Sequence, residues 1–166
     1  MLELRPATRA DISEMSRIHA RSWKAAYLGL IPQAYLDELR EDLWVPLFEQ
    51  SLCNGTEALL ALCENLSIGC ATYCAARDEA LAGWGEVPSI YVLPEYFHGG
   101  TGTLLLQGAF DGLRDKGYSQ AYLWVLESNL RARAFYEHLG MSWNGDTMPL
   151  EILGEQLTEL RYTITL

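Results

Sequence analysis

Lysine is almost absent from this chain of 166 residues, standing only at Lys24 and Lys116. Twelve basic residues face twenty-two acidic ones, for a formal net charge of −10. A surface of that sign repels a phosphate backbone, so nucleic acid is not expected as a partner. The four cysteines, Cys53, Cys63, Cys70 and Cys74, form no CxxC pair and have no histidine at ligand spacing, which counts against a metal site. The start, Met-Leu-Glu-Leu-Arg-Pro, lacks the basic and apolar segments of an export signal. Disulfides are therefore not expected, and a cytoplasmic protein with reduced, buried thiols is. No stretch approaches the ~20 apolar residues that cross a bilayer, so no membrane role is expected either. Repeats, low-complexity tracts and Pro/Ser linkers are also missing. One domain over residues 1–166 is the expectation.

What is present is an ordinary globular composition, 49% hydrophobic and 20% charged. Residues 2–5 alternate as a short strand. Thr8 is placed to cap a helix running to about Tyr27, with Ile12, Met15, Ile18 and His19 at helical spacing. Residues 31–40 and 43–52 look like two short helices. Residues 57–63 and 67–76 read as strands joined by a tight turn at Glu64-Asn65. The strand expected over residues 85–93 contains Pro88, which cannot donate to a ladder and implies a sheet edge or a bulge. A helix over 101–116 stops at Gly117, a strand follows over 119–126, and a helix over 129–139 closes at Gly140. Two strands, over 142–149 and 156–165, complete a mixed α/β order.

The segment Pro94-Glu95-Tyr96-Phe97-His98-Gly99-Gly100-Thr101-Gly102-Thr103 carries the most chemistry. A strand runs into glycines that open a helix, and the first amides of a helix are unpaired and partly positive. A phosphate or pyrophosphate is the natural guest of such a turn. The lysine-bearing phosphate loop is not met, because no lysine follows the glycines. The dinucleotide turn fails as well, since Leu105 stands where its third glycine belongs. A glycine-rich loop without a ligand stays open from the turn alone.

With its preceding strand, Ser89-Ile90-Tyr91-Val92-Leu93, the turn resembles the cofactor motif of the GNAT N-acetyltransferases, usually Arg/Gln-x-x-Gly-x-Gly/Ala. Gly100 and Gly102 match it, and Phe97 departs from it at the Arg/Gln position. The run Leu123-Trp124-Val125-Leu126-Glu127-Ser128-Asn129, followed by Phe135-Tyr136 and Gly140, resembles the family's second motif. Asn129 and Tyr136 are seven residues apart and share one helix stripe, with the small Ala132 beside it. Flanking stretches, Arg21 to Tyr27 and Glu159 to Tyr162, resemble one branch of the superfamily.

The resemblance implies a central, mostly antiparallel sheet of six to seven strands, splayed between its fourth and fifth strands and flanked by about four helices. It also implies acetyl-CoA as co-substrate, without a metal, and direct acetyl transfer to the amine of a small molecule or a protein. Ile90, Tyr91, Val92, Phe97, His98, Gly99, Gly100, Thr101, Gly102, Thr103, Asn129 and Tyr136 would hold the cofactor. Tyr136 would serve the departing thiolate, and Glu86 would take the acceptor's proton through water, with Glu127 as a competitor. Trp23 and Tyr27 are candidate walls of the acceptor pocket, beside Tyr35 and Trp44. His98 is either a phosphate contact or an exposed loop residue, and His19 and His138 read as structural. Such folds commonly form homodimers. A non-catalytic acyl-CoA-binding domain and a nucleotide-binding module are the rival functions.

Overall fold

The computed structural model describes residues 1–166. Seven strands form one sheet in the order β1-β2-β3-β4-β5-β7-β6: β1 Leu2–Pro6, β2 Glu57–Cys63, β3 Leu66–Ala75, β4 Gly85–Val92, β5 Gln120–Leu126, β6 Ser142–Ile152 and β7 Glu155–Thr165. Only β4 and β5 run parallel. Four helices of nine or more residues flank it, α1 Ile12–Ala26, α3 Val45–Cys53, α4 Thr101–Asp115 and α5 Leu130–His138, with the five-residue α2 Gln33–Asp37 beside them. None is long and apolar enough to cross a membrane.

Strand β2 shows why its apolar run is continuous. Ala58 and Leu60 pack with Ile12, Met15 and Ile18 of α1 and Phe48 of α3, on what we call the front face. Leu59 and Ala61 point the other way, toward Leu105, Leu106, Ala109 and Leu113 of α4 on the back. Burial on both faces removes the alternation seen in half-exposed strands. Each fully buried leucine contributes about 1.5–3 kcal/mol of transfer free energy. Helix α4 lies unusually close to the sheet. A Cβ on Gly112 would stand 2.5 Å from the Tyr73 ring, and one on Gly108 would stand 2.5 Å from Leu4. Two glycines that weaken an isolated helix thus allow its approach here.

Thr8 does not cap α1 directly but opens a 3-10 turn, Arg9–Asp11, that leads into it. The Asp11 carboxylate accepts from the Thr8 amide at 2.8 Å and from its hydroxyl at 3.1 Å. Glu64 and Asn65 take φ of 50° and 68°, the paired left-handed conformation of a two-residue hairpin turn. Pro88 sits at a bulge and not at an edge, because β4 lies between β3 and β5. Thr72 pairs with Ser89 and Cys74 with Glu86, so Val87 and Pro88 oppose Tyr73 alone. The bulged proline has no N–H to leave unpaired.

Candidate active site

Strands β4 and β5 are paired at Gly85 with Ala121 and at Glu86 with Tyr122, and nowhere beyond. Above that root they diverge. Gly85 is required there, since a Cβ would meet Leu113 of α4 at 2.7 Å. The Leu93 amide donates to Ile68 of β3 at 2.8 Å, so strand alternation turns the amides of Ile90 and Val92 the other way, into the gap. The Tyr91 amide faces β3, and its side chain lies on the front. Of the three residues expected to contact a cofactor from this strand, Ile90 and Val92 therefore offer the free donors.

A cavity of about 580 Å³ fills the gap and extends to the start of α4 and along α5. Gly100 is the N-cap of α4 with φ of 82°, and His98 before it has φ of 63°. The first bond of the helix runs from Leu104 to the Gly100 carbonyl at 3.0 Å. Six consecutive amides, from His98 to Thr103, consequently have no acceptor in the protein. Successive N–H groups in such a turn, at the positive end of a fifteen-residue helix, form a concave anion cradle.

The individual positions differ from one another. His98, Gly100, Gly102 and Thr103 line the cavity, whereas Gly99 does not. The Thr101 side chain is buried and packs 3.2 Å from where a Cβ on Gly69 would stand, so only its amide faces outward. Gly102 is small for a different reason than ligand approach. A Cβ there would press on the Phe135 ring at 3.2 Å, so this glycine lets α4 and α5 meet. Phe97 lies under the guanidinium of Arg131, 4.2 Å from ring centre to carbon. Arg131 and His138 line the same cavity from α5, so His138 is an exposed rim residue rather than the structural one expected.

Helix α5 supplies the other wall. Asn129 caps it, its side-chain oxygen accepting from the Ala132 amide at 3.2 Å, which leaves the side-chain NH₂ free. Ala132, Phe135 and Tyr136 follow along the cavity. Tyr136 is 8% exposed. Its hydroxyl makes no hydrogen bond within the protein, and burial raises its pKa above the ordinary tyrosine value. Glu127 is exposed and lines no part of the cavity.

A second cavity, of about 320 Å³, opens on the front face beneath α1 and α3. It shares Tyr27, Val87, Pro88, Ser89, Tyr91 and Trp124 with the first, so the two meet at the splayed strands. Trp23, Tyr27 and Trp44 line it, as His19 does; Tyr35 does not. His19 is 5% exposed and lies 4.3 Å, centre to centre, from both Trp44 and Tyr91. Desolvation lowers its pKa to about 3, so the imidazole is neutral. The Tyr27 and Tyr91 hydroxyls are 3.2 Å apart.

Glu86 is 2% exposed and both of its carboxylate oxygens accept hydrogen bonds. Oε1 accepts from the Arg77 guanidinium at 2.6 Å; Oε2 accepts from the Arg77 amide at 3.0 Å, from its Nε at 3.1 Å and from the Tyr122 hydroxyl at 2.8 Å. The sequence gives no sign of these partners, because Arg77 lies nine residues away in a loop. It also gives no sign of Arg131, which only the fold carries to the glycine turn, or of Glu159, which lines the second cavity with no partner of its own.

Comparison with known proteins agrees with this architecture. The profile described as "Acetyltransferase (GNAT) family" matches residues 17–141. The chain is 30% identical over 130 residues to "Uncharacterized N-acetyltransferase YuaI" of Bacillus subtilis, covering 78% of this chain and 74% of that protein. The PaiA N-acetyltransferase from Thermoplasma acidophilum, solved in complex with coenzyme A, superposes with a TM-score of 0.78 at 20% identity, over 100% of this chain and 99% of the other. The yncA acetyltransferase of Salmonella typhimurium, solved with acetyl-CoA, gives 0.75 at 19% identity, over 99% and 93% of the two chains. Sequence, split sheet and glycine turn therefore lead to one assignment: the chain belongs to the GNAT family of N-acetyltransferases.

Proposed function

We propose that this protein binds acetyl-CoA in the larger cavity and transfers the acetyl group directly to a primary amine entering from the smaller one. The observation that carries the reading is the junction of the two cavities at Tyr27, Tyr91 and Trp124, beneath diverging strands. The free amides from His98 to Thr103 would receive the diphosphate, and Arg131 would add the one side-chain cation at that turn. Asn129 and the Ile90 and Val92 backbone would hold the pantetheine arm alongside Ala132. That places the thioester in the gap, with Tyr136 on its sulfur side.

As the amine attacks, the thioester oxygen gains charge, and a fixed amide donor there is worth about 3 kcal/mol in acyl transfer. The C–N bond forms as the C–S bond breaks, and the thiolate departs toward Tyr136. An ordinary phenol near pKa 10 protonates a thiolate near 8.5 uphill by roughly 2 kcal/mol. Burial of Tyr136 makes that transfer harder still. Tyr136 therefore acts as a hydrogen-bond donor to the sulfur, and the proton that finally reaches CoA comes from the attacking nitrogen.

Glu86 takes a structural part in this reading. Its four hydrogen bonds tie the root of the split to Arg77 and Tyr122, and the Arg77 guanidinium balances its charge. Thiol release from acetyl-CoA across a panel of amines tests the reading, together with calorimetry on CoA. Absence of CoA binding would refute it.

A further inference from the structure

We infer that the front cavity is built for a compact monoamine on an aromatic or apolar body, and that Glu159 both receives its ammonium and takes its proton. This inference rests on the acetyl-transfer reading for its chemistry, though the binding site stands on its own geometry. The walls contributed by Trp23, Trp44, Phe48, Tyr91 and Trp124 are aromatic. Aromatic faces attract a cation and bury a flat apolar body equally well. The volume, about 320 Å³, is at the small end of ligand sites, which run from ~300 to 1,000 Å³.

Two carboxylates reach this cavity, and they are not equivalent. Glu86 is neutralised by Arg77. Glu159, on β7 beside Leu126 of β5 and Met148 of β6, has neither ion pair nor hydrogen bond. One free negative charge suits one ammonium. A polyamine would bring further charges, and no second free carboxylate lines this cavity to pair with them. A second feature of the site is unpartnered: His19, which lines the cavity, has its Nδ1 buried without a hydrogen bond. An unsatisfied buried nitrogen costs stability unless an occupant meets it.

Glu159 is also chemically suited to take a proton. Burial raises its carboxyl above the ordinary value of 4.5. The other ionisable groups around this cavity are His19, Tyr27, Arg77, Glu86 and Tyr91; the first is neutral and Arg77 is spent on Glu86. Arg161, two residues along on the same face, is engaged by Asp78 and Asp146. The step balances simply. The ammonium gives one proton to the Glu159 carboxylate, the neutral amine attacks the thioester carbon, and the second nitrogen proton accompanies the thiolate.

The test pairs binding with turnover. Phenethylamine and spermidine are titrated against tryptophan fluorescence, with acetyl-CoA absent and present, and both are assayed as acceptors beside a short peptide with a free N-terminus. Phenethylamine should quench the signal and show kcat/KM at least tenfold above the other two. Glu159→Gln should raise its KM, cut kcat about a hundredfold and abolish the acidic limb of the kcat/KM profile. Glu159→Asp should retain that limb at lower rate. Spermidine or the peptide as the best acceptor would overturn the substrate class, and an unchanged acidic limb in Glu159→Gln would overturn the role of Glu159. Amine binding without any CoA binding would refute acetyl transfer while leaving the front site in place; CoA binding without amine binding would do the reverse.

Discussion

Arg131 of α5 holds its guanidinium carbon 4.2 Å above the centre of the Phe97 ring, at the mouth of the glycine turn. Phe97 occupies the position where the family motif usually places arginine or glutamine. The cation missing from the turn is thus supplied by the facing helix and propped there by the aromatic that replaced it. This arrangement explains how an acidic protein with two lysines can present positive charge where a diphosphate would lie.

Arg131→Ala should weaken CoA binding by about tenfold or more, the worth of one charge-assisted hydrogen bond to a phosphate. The loss should shrink in high salt, because the exposed guanidinium is screened. Calorimetry at two ionic strengths measures both effects.

Tyr136→Phe should lower kcat by roughly tenfold while leaving CoA affinity nearly unchanged, since the ring still packs and only a hydrogen bond that strengthens on the departing sulfur is lost. Unchanged kcat would remove the hydroxyl from the reaction.

Gly102→Ala should lower stability by about 1–2 kcal/mol and also weaken CoA binding. The added methyl meets the Phe135 ring at 3.2 Å, so that ring, which lines the same cavity, must give by a few tenths of an ångström. Thermal denaturation reads the first effect and calorimetry the second.

Glu86→Gln should destabilise the fold by about 1–3 kcal/mol, because the Arg77 charge loses its buried counterpart. The cost lies below that of a fully buried pair because the Arg77 side chain is 66% exposed. If catalysis falls while stability holds, Glu86 acts in the chemistry itself.

The fold should lose stability as pH falls below about 6.5 through His19. Its folded pKa, lowered to about 3, lies below the unfolded value of 6.5, so the unfolded chain binds the proton first. Between pH 7.5 and 5.5 this amounts to about 1.4 kcal/mol. Urea titration at the two values should show that difference shrink by a like amount in His19→Gln.

Much of the architecture is legible in the sequence. The strand at Glu57–Cys63, the turn at Glu64 and Asn65 and the helix stops at Gly117 and Gly140 follow from local chemistry, and the structure has them. The motif around Gly100 and Asn129 is also local, which is why these residues could be singled out from the sequence; both line the larger cavity. Side-chain pairings across elements were not. Nothing near Glu86 in the chain announces that Arg77 and Tyr122 close on it, and nothing near Glu159 announces that its strand neighbours leave it alone. Pro88 was legible only as a choice between edge and bulge; the neighbours of β4 decide it. His138 was misjudged because helix spacing does not say which side faces a cavity.

The six residues common to both hollows line their junction, and none of the other residues around the front hollow comes from the glycine turn or from α5. With an amine seated in front as proposed, substitutions in α1, α3, β6 and β7 would refit that compartment for a new acceptor while leaving the glycine turn and α5 unchanged.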